Sequence, residues 1–183
     1  DKRAARALAE QAGVPVIPGA SRCDDLEQAR RAADAVGYPV LLKAAGGGGG
    51  KGMRRVEGDA DLPEAFAAAT REAQGAFADA RLLVEKYIYP ARHVEVQILA
   101  DGRRALALGE RECSLQRRYQ KIIEEAPCAA ISERTRQALC ASAVALAEQA
   151  GYASAGTVEF LVGPDESYYF LEVNTRLQVE HPV

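Results

Sequence analysis

Apolar and polar positions along the chain switch between a helical and a strand period. Residues 2–12 read as a helix stopped by Gly13, and 14–19 as a short extended stretch bounded by turns. Asp24 with Glu27 three residues on predicts a capping box, opening a helix with Leu26, Ala29, Ala33 and Val36 on one face and Gly37 at its end. Residues 38–44 predict a strand, and 53–56 extend again after a glycine tract. Asp61 with Glu64 opens a helix to about Gln74, and 82–88 form a strand. Residues 92–99 alternate strictly: Val94, Val96 and Ile98 face one way, His93, Glu95 and Gln97 the other. The Asp101-Gly102 turn should fold 105–109 back as a hairpin. An Ala-rich amphipathic helix covers 132–150, and strands at 157–162 and 168–174 flank Gly163-Pro164-Asp165. This mixture predicts an α+β chain with mostly antiparallel sheet and a lobe boundary near 87–90.

The chain has 183 residues, 48% hydrophobic and 27% charged, enough for one domain or two small lobes. A net charge of -3 gives no bulk basic field for nucleic acid, and no apolar run is long enough to span a bilayer. No apolar signal core follows the first residues and no initiator Met is present, so the true start is expected upstream. Cys23, Cys113, Cys128 and Cys140 form no Cys-x-x-Cys pair and have no His at zinc-ligand spacing. They read as reduced thiols of a cytoplasmic or organelle-matrix protein.

The glycine tract at 46–50, followed by Lys51-Gly52, leaves backbone N–H groups free to point at an anion, and phosphate is the natural guest. Walker A fails because Ala45 stands where its first glycine should be and Gly52 where its Ser or Thr should be. A Gly-x-Gly-x-x-Gly match at Gly47, Gly49 and Gly52 carries little information in a glycine run, and a strand follows it where a Rossmann turn opens a helix. The context is a hairpin tip, as in a lid over phosphates; a plain flexible linker is the bland alternative. Lys43, at the end of an apolar strand, could reach a phosphate or simply snorkel.

Glu159 and Glu172 lie in otherwise apolar strands of one hairpin, roughly opposite each other, and Asn174 shares the face of Glu172. A carboxylate there must be paired or bind a cation. Two carboxylates and an amide oxygen suit Mg²⁺, whereas arginine pairing on a solvated face is the structural alternative. Arg176 can fork onto a small oxyanion, Glu180 is a candidate base, and the stretch from Gln116 to Lys121 could supply the other side.

Five segments then carry a resemblance: Lys43 through the glycines to Met53; Glu85-Lys86-Tyr87; Arg92-His93-Val94-Glu95; Cys113-Ser114-Leu115-Gln116-Arg117-Arg118; and Glu172 through Asn174-Thr175-Arg176-Leu177-Gln178-Val179-Glu180 to His181-Pro182. In order and spacing they resemble the biotin carboxylase family over essentially the whole chain. The resemblance implies an ATP-grasp fold of two lobes with antiparallel sheets, truncated at both ends. A leading helix would occupy 1–14, a small lid lobe 15–87, and the start of a large lobe 88–183. It implies ATP-dependent carboxylation of carrier-bound biotin: bicarbonate attacks the γ-phosphate, and the carboxyphosphate formed releases carbon dioxide to biotin.

Carried over by position, Lys2, Lys43, His93 and Gln116 would contact nucleotide, with Gly48, Gly49 and Gly50 over its phosphates and Glu85, Lys86 and Ile88 lining the adenine slot. Glu159 and Glu172 would hold Mg²⁺ or Mn²⁺ with Asn174 nearby. Lys121, Arg176, Gln178 and, through its backbone, Val179 would hold bicarbonate, and Glu180 would be its base. The implied partners are a biotin carboxyl carrier domain and a carboxyltransferase, in a homo-oligomeric parent. Tyr119 stands where the family most often has His, which puts nucleotide affinity in question. The family's later arginine for the biotin enolate and a Met-Lys-Met biotinylation site do not occur here, so the isolated chain is expected to be inactive in turnover. Another ATP-grasp carboxylate ligase and a non-catalytic nucleotide-binding or assembly module are the alternatives.

Overall fold

A computed structural model describes residues 2–46, 52–117 and 120–183, with the side chains of Lys2 and Arg3 also outside the description. The chain divides into two compact units, one of residues 1–3 and 17–87, the other of 4–16 and 88–183.

The first unit is a four-stranded antiparallel sheet in the order β1-β4-β2-β3, formed by β1 (Gly19–Cys23), β2 (Val40–Ala44), β3 (Met53–Val56) and β4 (Leu82–Lys86). The helices α2 (Leu26–Val36) and α3 (Leu62–Phe77) pack on it. Val40, Leu42, Leu82 and Val84 of the two central strands join Ala29, Ala33, Ala69 and Ala73 of the helices in one core. Small alanines let helix and sheet approach closely, and the aliphatic side chains fill the gap. The strand 19–23 was not anticipated because Gly-Ala-Ser-Arg-Cys lacks an apolar pattern; it is an edge strand, paired on one side with β4.

The capping box opens one residue later than Asp24 suggested. Asp25 is the N-cap and accepts from Gln28 N, while Gln28 Oε1 accepts from Asp24 N. Gly37 ends α2 with φ 74°, a left-handed conformation that only glycine adopts without strain. Strand β3 pairs with β2 so that Lys43 stands beside Met53, closing a hairpin around the glycine tract. Residues 47–51 of that tract lie outside the described residues.

The second unit is a five-stranded antiparallel sheet in the order β7-β6-β5-β8-β9. Its strands are β5 (Arg92–Ala100), β6 (Ala105–Arg117), β7 (Gln120–Glu125), β8 (Ala155–Val162) and β9 (Tyr168–Asn174). Helix α1 (Lys2–Gln11) and helix α4 (Glu133–Gln149) contribute to its core. Val94, Val96, Ile98, Val158 and Phe160 of the sheet meet Leu139, Ala143 and Leu146 of α4. Phe160 is fully buried and stands edge-on to Tyr168, with ring centroids 5.8 Å apart.

Strand β6 runs far beyond the predicted 105–109. Its charged run, Glu110-Arg111-Glu112, interrupts the apolar pattern, but each charge finds a partner. Glu110 bonds Arg136 Nε at 2.8 Å, Arg111 bonds Glu95, and Glu112 bonds Arg92 Nη1 at 2.7 Å. Among the described residues no helix is long and apolar enough to cross a membrane.

Candidate functional site

Strict alternation on β5 sends Glu95 and Gln97 to the face opposite the valines, and that face is buried too: Glu95 is 0% exposed and Glu159 2%. Strand register then lines up a row of charges. Glu95 pairs with Arg111 on one side and with Glu159 on the other, and Glu159 pairs with Glu172. The next row along the sheet holds Gln97, Thr157 and Asn174.

Both oxygens of Glu159 are engaged. Oε1 accepts from Lys121 Nζ at 2.9 Å and from Asn174 Nδ2 at 2.7 Å, and Oε2 faces His93 Nε2 at 2.5 Å. Gln116 Nε2 reaches His93 Nδ1 at 2.6 Å, which fits the tautomer carrying its proton on Nε2. Burial alone would push the Glu159 carboxyl up; the hydrogen bond from His93, then the charge and hydrogen bond of Lys121, outweigh it and hold the group at about 2.

Lys121 also bonds Glu95 Oε2, and the two carboxylates raise its ammonium against the downward pull of burial. Glu95 Oε1 takes Arg111 Nε at 2.7 Å, Arg111 Nη2 donates to Gln97 Oε1 at 3.0 Å, and Gln97 Nε2 donates to the carbonyl of Gly156 at 2.9 Å. The Glu172 carboxylate has no hydrogen bond or ion pair to a described residue. Glu124 lies at the margin, 3.7 Å from Arg111; burial and then the charges of Glu95 and Glu180 push its carboxyl up.

The structure thus brings together His93, Gln116, Lys121, Glu159, Glu172 and Asn174. The tail after β9 is placed differently. Gln178 is buried, its Oε1 accepting from Thr157 Oγ1 at 3.0 Å. Arg176 is exposed and donates to its neighbour's carbonyl, Leu177 O, at 3.3 Å, and Val179 is 95% exposed. Gln178 thereby adjoins the Thr157 and Asn174 end of the cluster, while the side chains of Arg176 and Val179 face solvent. Glu180 is half-buried, and its charge is felt by Glu124.

In the first unit, Lys43 is buried and its ammonium bonds Glu85 Oε2. Lys86 donates to the carbonyls of Gly37 and Tyr38 at 2.8 and 2.9 Å, capping the end of α2. Ile88 is half-buried just after β4. Gly48, Gly49, Gly50 and Tyr119, and the side chain of Lys2, lie outside the described residues.

Sequence reasoning missed Glu95, Arg111 and Thr157 as site residues. The signal for Glu95 was present, since it stands between His93 and Gln97 on the polar side of an alternating strand. Arg111 and Thr157 join only through strand register.

The comparisons show that these antiparallel sheets and their helices form part of an ATP-grasp domain. The model of the family described as carbamoyl-phosphate synthase L chain, ATP binding domain, matches residues 1–183, and the chain belongs to that family. Within it, the similarity is to the biotin carboxylase domains of biotin-dependent carboxylases. The propionyl-CoA carboxylase alpha chain of Ruegeria pomeroyi is 48% identical over 100% of this chain and 27% of its own length. The crystal structure of a biotin carboxylase–β,γ-ATP complex from Campylobacter jejuni superposes with a TM-score of 0.95 and 49% identity, covering 100% of this chain and 41% of that one. The biotin carboxylase domain dimer of 2-oxoglutarate carboxylase from Hydrogenobacter thermophilus, in complex with MgADP, ADP and bicarbonate, gives 0.93 and 44%, with the same coverages. The chain thus spans between about a quarter and two fifths of these relatives.

Proposed function

We propose that this chain is the ATP-binding core that activates bicarbonate in a biotin carboxylase, whose whole product is carboxylated biotin on a carrier domain. The observation that carries the reading is the direct opposition of Glu159 and Glu172 on neighbouring strands, with Asn174, Lys121 and His93 on the same face. The donor set fits a hard divalent cation: two opposed carboxylates, with the amide of Asn174 beside them donating to Glu159. When bound, Mg²⁺ would neutralise phosphate charge and orient the phosphates for transfer.

The residues of the chain supply the rest. Lys43 offers an ammonium to a phosphate, and His93, held by Gln116, presents a directed ring to the nucleotide. Lys121 offers positive charge to a small oxyanion, with Arg176 and Gln178 from the tail as further partners for it. Glu180 is the base that takes the bicarbonate proton. Lys86 and Ile88 would meet adenine, through backbone groups in the case of Lys86, because its ammonium caps α2. The carrier domain, the carboxyltransferase and a homo-oligomeric parent are the partners this reading requires.

Calorimetric titration of MgADP into the chain, beside a Glu159→Gln/Glu172→Gln double variant, tests it. Magnesium-dependent binding lost in the variant is expected. Equal binding by a folded double variant would remove these carboxylates from the metal site.

A further inference from the structure

Resting on that reading, we propose that Glu95 is a positioning residue: it keeps Lys121 in place when a divalent cation takes Glu159. In the structure Lys121 is shared between two carboxylates, Glu95 and Glu159. An ammonium and a divalent cation on one carboxylate repel each other, so a metal at Glu159 weakens the hold of Glu159 on the lysine. Without a second anchor the flexible side chain would leave the site just as its charge is needed for the oxyanion.

Glu95 is built as that second anchor. It is fully buried, and its two oxygens are divided: Oε1 belongs to Arg111, Oε2 to Lys121. Arg111 is itself only 2% exposed and is held by Gln97, so the carboxylate cannot turn to follow the metal. Its place is also set by register, because position 95 stands directly beside position 159 on the next strand. A purely structural ion pair between β5 and β6 would need Arg111 and Glu95 alone; turning the other oxygen to a lysine on β7 adds a function to it.

The test is Glu95→Gln, which still accepts a bond from Arg111 but loses the charge facing Lys121, with Glu95→Asp as the charge-conserving control. Labelling of Lys121 by an amine-directed acetylating reagent is followed by mass spectrometry, with and without MgADP, in this chain. Wild type and Glu95→Asp are expected to stay slow in both conditions. Glu95→Gln is expected to label about tenfold faster with MgADP, the scale of one lost charge-assisted bond, and near the wild-type rate without it. In the full-length polypeptide carrying the chain, the same variant should raise KM for bicarbonate about tenfold while KM for MgATP stays within about twofold. Labelling that is unchanged by MgADP in Glu95→Gln, although calorimetry shows MgADP bound, overturns the proposal and leaves the ATP-grasp reading intact. Wild-type chain that is folded and binds no MgADP overturns both. A rise in both KM values with a lowered Tm assigns Glu95 to the scaffold and also overturns it.

Discussion

Glu159 and Glu172 stand directly opposite each other on β8 and β9, yet the Glu159 carboxylate is gripped by Lys121, His93 and Asn174 while the Glu172 carboxylate has no hydrogen bond or ion pair to a described residue. Two carboxylates at equivalent positions therefore carry different loads. Glu172→Gln should leave stability within about 0.5 kcal/mol, because no side-chain bond to a described residue is lost, but weaken MgADP binding by about tenfold or more. Glu159→Gln should lower both. Paired thermal unfolding and calorimetry check this, and equal stability losses in the two variants would contradict it.

The depressed carboxyl of Glu159 also makes a pH prediction. A group whose folded value lies below its ordinary 4.5 stabilises the chain above that pH and loses the contribution as pH falls through about 2. The difference corresponds to about 3 kcal/mol, fully present at neutral pH. Urea unfolding between pH 6 and 2, an interval chosen to span both values, should show the wild-type advantage over Glu159→Gln shrinking only below about 4.5. An advantage that disappears already above pH 5 would refute it.

Phe160 of β8 is the largest fully buried side chain among the described residues and packs edge-on against Tyr168 of the neighbouring strand β9. Phe160→Ala should cost about 3–5 kcal/mol through lost burial and the cavity left behind. Phe160→Leu should cost less. Denaturant titration measures both.

Gly19 sits on the edge strand where an added Cβ would meet the carbonyl oxygen of Val84 at 2.0 Å. Gly19→Ala must push β1 away from β4, with an expected loss of about 2 kcal/mol or more. Amide hydrogen exchange should quicken in β1 and β4 first; uniform exchange across the chain would speak against this account.

Ser132 caps α4 by accepting from Thr135 N at 3.2 Å, and its hydroxyl bonds Glu166. Ser132→Ala should therefore cost about 1 kcal/mol or somewhat more, and Ser132→Thr much less. Midpoints of urea unfolding separate the two.

Much of this molecule was determined locally. The alternation of residues 92–99 specified a strand with one apolar and one polar side, Ser132 and the Ala-rich run specified α4, and the Gly163-Pro164-Asp165 turn specified the last hairpin. Placing Glu159 and Glu172 in the two strands of one hairpin brought them close, but their direct opposition needs a register shift between Phe160 and Glu159, because the register set by the turn pairs Phe160 with Phe170 and would put Leu171 beside Glu159. The five resembling segments supplied the family, since their order and spacing are properties of the chain alone.

Only tertiary structure decided the partners of those groups. Arg111 is more than a dozen residues from Glu95, and Lys121 is 38 from Glu159. Their meeting depends on how β6 and β7 register against β5, which no local period encodes. The same reason hid the true length of β6: a charged run is a strand only where partners on neighbouring elements cancel its burial cost. Local sequence determined which residues could carry the chemistry, whereas long-range register decided which of them are held together.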